Sequence, residues 1–167
     1  MTEKSVETLF TQARDALRDQ NPELARDLCE QARRIDSKDP RLILLHGFAL
    51  RRAGKYAEAE PLLRQILQQD QKIEIAQHEL GLTLIALGRI KEARQAIERA
   101  VSLNPNLVSA WRDLYNVRAA EGDDFGAAEA YRQVVSKKEL DPTLRKALDL
   151  IAAGRLGIAE GICREYL

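Results

Sequence analysis

Small and large apolar residues return along this chain every 34 positions: Gly47, Gly54, Ala59 and Leu63 recur as Gly81, Gly88, Ala93 and Ile97, then as Tyr115, Gly122, Ala127 and Tyr131. Each interval reads as a first helix, a short turn, a second helix and a second turn. Gly54, Gly88, Gly122 and Gly154 follow segments of helical periodicity, where access to positive φ lets the first helix end in a left-handed residue. Asn21-Pro22, Asp39-Pro40, Asn104-Pro105 and Asp141-Pro142 each place a capping side chain before a proline, and each is expected to start a helix. Ala59, Ala93, Ala127 and Ala159 fall where the second helix must approach the first closely, with a larger apolar residue one turn further on. A unit of this kind cannot bury its own apolar face, so its neighbours must do it. The predicted fold is all-α: an α-solenoid, a right-handed superhelix of about five helix-turn-helix units and about ten helices. It forms a single domain, 1–167, with units near 6–39, 40–73, 74–107, 108–139 and 140–167.

The first and last units depart from the pattern. Ala13, Ala25, Cys29 and Ala32 keep the register of the first, but Gln20 stands where the glycine belongs. The last helix carries Leu156, Ile158, Ile162, Cys163, Tyr166 and Leu167, although a terminal cap should present a polar outer face. The expectation is that further chain follows Leu167, or that this helix is buried against another copy.

These residues resemble the tetratricopeptide repeat family over essentially the whole chain. The third unit fits the family pattern best, with Leu80, Gly81, Leu84, Ala93, Ile97, Ala100 and Pro105, and the fourth fits in part, with Trp111, Leu114, Ala127 and Tyr131. Tyr115 replaces a small residue at the contact between the two helices, Arg118 replaces an aromatic, and Gln12, His46 and Lys146 stand where leucine is usual.

Composition excludes more than it assigns. The chain is 45% hydrophobic and 31% charged, which predicts an ordered protein, and its 26 Lys and Arg equal its 26 Asp and Glu. With no global field, nucleic-acid binding is not expected. The N-terminal MTEKSVETLF is no signal peptide and no apolar run is long enough to span a bilayer, so no membrane insertion and a cytoplasmic location are predicted. Cys29 and Cys163 share the register of Leu63, Ile97 and Tyr131, which reads as buried reduced thiols. His46 falls at an inward position, where a hydrogen-bonded core histidine is the simplest reading, and His78 falls on the groove side. Neither belongs to a metal-ligand spacing, and GxGxxG, GKS or GKT, HExxH and CxxC are all missing, so no catalysis, metal or cofactor is expected. Asp123-Asp124 and Glu58-Glu60 read as solvated charges and partners of helix N-termini.

The family resemblance implies a concave groove lined by successive first helices. Carried over position by position, it places there Arg41, Leu44, Phe48, Arg51 and Arg52, then Ile75, His78, Leu82 and Ile85, then Ser109, Arg112, Asn116 and Ala119, and finally Leu144, Leu148 and Ile151. The candidate partner-binding residues are Arg41, Leu44, Phe48, Arg51, His78, Leu82, Arg112 and Asn116. Some of the apolar ones, Ile85 and Ile151 above all, equally fit packing between neighbouring helices. The clamp that some members use to grip a C-terminal carboxylate is not expected, because only Asn116 fits it. The expected function is a protein-protein interaction scaffold whose groove binds a protein or peptide partner, acidic and amphipathic, with self-association through the C-terminal helix a further expectation. An alternative follows from a weaker likeness to the arrays that precede sulfotransferase or glycosyltransferase domains in bacterial proteins: the repeats would then be the interaction portion of a larger enzyme.

Overall fold

A computed structural model describes residues 5–137 of the chain. The expectations made at Asp141-Pro142, Gly154, Ala159, Cys163, Leu144, Lys146, Leu148, Ile151 and the last helix lie outside these residues. Among the described residues there are eight helices and no strand: α1 (Val6–Arg18), α2 (Pro22–Ile35), α3 (Pro40–Arg52), α4 (Tyr56–Gln69), α5 (Glu74–Ala86), α6 (Ile90–Leu103), α7 (Val108–Ala120) and α8 (Asp124–Lys137). Consecutive helices pack as antiparallel pairs, and each pair stacks on the next, giving an all-α solenoid of helical repeats.

Each first helix stops in the same way. Gly54, Gly88 and Gly122 adopt φ of +75°, +75° and +77°. The residue after each glycine donates its N–H back across the turn, Lys55 to Leu50, Arg89 to Leu84 and Asp123 to Arg118, at 2.8 to 2.9 Å. That bond, with one from the glycine's own N–H to the carbonyl three residues before it, satisfies carbonyls that the helix end would otherwise leave open. In the first pair Gln20 takes the left-handed conformation at φ 58°, and Asn21 N–H reaches Ala16 O at 2.8 Å. The motif therefore survives without its glycine.

Helix starts follow the sequence expectation at two prolines and depart from it at a third. Asn21 caps α2 by accepting from Leu24 N–H, and Asp39 caps α3 by accepting from Arg41 N–H. Asn104 does not start a helix. It ends α6, and its side chain accepts from Asn106 N–H at 3.0 Å, so that α7 begins only at Val108. Its equivalents are Asp36 and Asp70, which bind Lys38 N–H and Lys72 N–H in the same two-residue turn. An Asn-Pro pair fits a turn as well as a cap.

Three overlapping clusters form the core, and single helices contribute to two of them. Leu42 of α3 packs with Leu9, Leu28 and Cys29 of the pair before, whereas its neighbour Ile43 packs with Leu63 of its own pair and with Leu80 and Leu84 of the pair after. Leu42, Ile43 and Leu63 are fully buried, each stabilising by about 2 to 3 kcal/mol relative to exposure. Stability is thus shared between neighbouring pairs, as a solenoid requires.

Candidate functional site: the inner face of the first helices

The backbones of the first helices α1, α3 and α5 approach one another directly across a repeat, whereas the second helices α4 and α6 meet through longer side chains, Arg64 donating to Glu92 at 3.2 Å. The first-helix row is therefore the tighter, inner side of the stack.

Polar pairs tie that row together. Arg41 of α3 donates to Glu7 of α1 at 2.8 Å, Arg51 of α3 pairs with Glu79 of α5, and His78 Nε2 of α5 lies 2.7 Å from the Asp113 carboxylate of α7. Arg41 also grips its own cap Asp39, and this hydrogen bond holds the Asp39 carboxyl below its ordinary range. Glu79 and His78 are buried, so α5 carries polar groups that are matched and desolvated rather than solvated. Reading for apolar periodicity misses this ladder. The signal was present as complementary residues about one repeat apart, Glu7 with Arg41 and His78 with Asp113.

Two hollows open on the same face. One, of about 300 Å³, is lined by Phe10, Arg41, Leu44, Leu45, Phe48 and Ile75, and so spans α1, α3 and α5. Arginines frame it: Arg41 stacks 5.3 Å from the Phe10 ring centroid, and Arg51 and Arg52 lie 5.5 and 5.8 Å from that of Phe48. The other, also about 300 Å³, is lined by Leu82, Ile85, Ile90, Asp113, Asn116, Val117 and Ala120. Ile85 is half-buried and packs against the cores on both sides of it while still lining this hollow.

Of the sequence-derived candidates, Arg41, Leu44 and Phe48 meet in the first hollow, and Leu82 and Asn116 meet in the second. Arg51 and His78 are engaged in the ladder, while Arg112 is exposed, lines neither hollow and forms no ion pair among the described residues. Sequence reasoning did not single out Phe10, which completes the first hollow, or Asp113, the partner of His78. Phe10 sits one repeat before Leu44 and was legible from that spacing.

His46 and Cys29 are interior. The Nδ1 of His46 lies 3.1 Å from the Arg33 guanidinium, which only donates, so Nδ1 accepts and the ring proton is on Nε2. Burial, reinforced by the Arg33 charge, pushes its pKa down to about 4. Burial pushes the Cys29 thiol up to about 12, leaving it inert as a nucleophile at neutral pH. Glu60 departs from the expectation of a solvated charge. It accepts from Arg64 on its own helix at 2.8 Å and from Arg89 of the next pair at 2.7 Å. Burial pushes its carboxyl up, but these hydrogen bonds outweigh it and the net shift is downward. No group of three or more His, Cys, Asp or Glu suited to a metal occurs among the described residues, and none of their helices is long and apolar enough to cross a membrane.

Residues 16–77 and 50–120 each match a family model described as tetratricopeptide repeat, together more than half of the chain. Among solved structures, the chain is similar to MamA from Desulfovibrio magneticus RS-1, at 18% identity and a TM-score of 0.74 over 80% of this chain and 76% of that one. A second MamA crystal structure gives 19%, 0.72, 80% and 78% for the same measures. PilF of Pseudomonas aeruginosa gives 19% identity and a TM-score of 0.72 over 95% of this chain and 73% of that one. At these identities the likeness is one of fold. No curated protein matches the sequence.

Proposed function

The chain belongs to the tetratricopeptide repeat family, and from that premise we propose that this interaction scaffold holds a segment of a protein partner in the groove along α1, α3, α5 and α7. The observation that carries the reading is the hollow formed by Phe10, Leu44, Leu45, Phe48 and Ile75, an apolar recess open on the inner face and framed by arginines. Apolar recesses of this kind supply affinity to an interface, and surrounding charges supply orientation. The residues proposed to meet the partner are Arg41, Leu44, Phe48, Arg51, His78, Leu82, Arg112 and Asn116. Arg41, Arg51 and His78 act mainly by shaping the face, since their polar atoms are already paired.

On this reading the protein works in the cytoplasm by binding alone, without catalysis or cofactor. The matched family model and the structural neighbours give no support to the reading as part of a sulfotransferase or glycosyltransferase.

The test is a titration of the partner recovered on the immobilised chain against wild type, Phe48→Ala and Arg112→Ala, with circular dichroism as the folding control. Phe48→Ala should weaken binding by about 1 to 3 kcal/mol. Arg112→Ala should weaken it less and flatten its salt dependence. Unchanged affinity in both variants would move the binding surface to the outer face or the loops.

A further inference from the structure

The inner face offers few side-chain amides and hydroxyls, and that restricts the backbone it can receive. On its central helices α3 and α5 no side-chain amide or hydroxyl is free, because Gln77 donates to Gln71 O and Thr83 to Glu79 O. The amide that lines a hollow is Asn116, on α7. An extended segment laid on such a surface leaves backbone N–H and C=O groups against phenylalanine, leucine and isoleucine, at about 1 to 3 kcal/mol for each group left unpaired. A helix satisfies its own backbone and meets an apolar face with side chains alone.

Charge points to the sign of the occupant. The carboxylates of Glu7, Glu79 and Asp113 are taken by Arg41, Arg51 and His78. Arg14, Arg52 and Arg112 have no acidic partner among the described residues. Arg14 follows Phe10 by one helical turn and shares its face.

The hollows fix a spacing. The first is centred on α3, toward the N-terminal half of the first helices; the second lies between α5 and α7, toward their C-terminal half. With neighbouring helix axes about 8 to 10 Å apart and a rise of about 1.5 Å per residue, their centres are about 16 Å apart on a diagonal. On a helix that distance is about 11 residues, three turns, which returns to the same face.

We infer that the groove takes an acidic amphipathic α-helix, lying diagonally across it, that seats apolar side chains about 11 residues apart in the two hollows. This rests on the groove reading above and adds the partner's conformation, charge and anchor spacing.

The experiment selects binders on the immobilised full chain from two displayed libraries of equal acidic composition, one helix-stabilised and one interrupted by prolines. Enriched peptides are then titrated against wild type, Phe48→Ala, Leu82→Ala and Arg52→Glu, each checked by circular dichroism. The helix-stabilised library should be enriched in sequences with large apolar residues at i and i+11, and each of the three variants should weaken them by about tenfold or more. Enrichment of proline-interrupted peptides that respond to Phe48→Ala and Leu82→Ala would overturn the helical occupant and leave the groove standing. Helical binders that respond to only one of those two variants would overturn the two-anchor spacing. Binders indifferent to all three, or no binders from either library, would overturn the inference and the groove reading together.

Discussion

Single residues in equivalent positions of the repeat meet different surroundings, and their substitutions should separate accordingly. A Cβ on Gly47 would lie 3.1 Å from Leu63, whereas one on Gly81 would lie 2.5 Å from fully buried Ile97. Ala for Gly gains about 1 kcal/mol of helix propensity, so Gly47→Ala should be nearly neutral while Gly81→Ala loses about 1 to 2 kcal/mol through overpacking, as read by denaturant unfolding. Gly88 poses the opposite case, since nothing lies within 4 Å of a Cβ there and the cost of substitution is purely that of its φ of +75°. Gly88→Val should therefore cost more than about 1 kcal/mol, and Gln20→Gly, relieving φ 58°, should gain about 1 kcal/mol. Equal stability of either variant with wild type would mean that the turn is not left-handed there. His46 gives a pH dependence with a definite sign. Its pKa falls from 6.5 to about 4 on folding, so the unfolded chain binds the proton more readily. Stability from this group is full above about pH 6.5, declines as pH falls to about 4, and amounts to about 3 kcal/mol. His46→Gln, which keeps an acceptor for Arg33 but does not titrate, should flatten the acid limb of the stability curve between those values.

Helix pairs are joined by two kinds of contact, and the apolar kind was the more legible in the sequence. The apolar stacking of α1–α8 follows from the repeat of Ala59, Ala93 and Leu63, Ile97, because a position that recurs with the same size meets the same neighbour. The polar ladder does not recur in fixed positions. Arg51 meets Glu79, 28 positions on and short of a repeat interval, and Glu60 bridges to Arg89 where its register equivalent Arg94 bridges to Glu121 with the charges exchanged. A search for recurring residue types passes over pairs whose signs alternate. Breaking the buried pair should be costly because it leaves one ion desolvated and alone. Arg51→Leu is expected to lose about 3 kcal/mol, and adding Glu79→Leu should restore much of it. A double-mutant cycle showing simple additivity would mean that the two side chains are not coupled. Asn104-Pro105 misled for a related reason: capping residues also close the two-residue turns between pairs, and Asp36 and Asp70 in the same register revealed which role applied.

Over the whole molecule, the fold was legible and the candidate inner face only in part. Register alone put Arg41, Leu44 and Phe48 on one surface, and the structure joins them with Phe10 and Ile75 into one hollow. Register could not tell that Arg51 is already neutralised by Glu79, since that pair departs from the repeat interval and depends on side-chain reach between helices. In the fourth unit the position held by Gly47 and Gly81 is taken by Tyr115, whose ring lies 5.7 Å from that of Tyr131, both exposed. That pair replaces a buried small-to-large contact with an aromatic one. The central claim is that partners bind on the row of first helices. Its most direct test is hydrogen exchange of the full chain with and without a saturating bound partner segment. Binding on this row should slow exchange on α3, α5 and α7, concentrated around Phe48, Leu82 and Asn116, with α4 and α6 unchanged. Protection confined to α4, α6 or the turns, with the first helices unaltered, would contradict it.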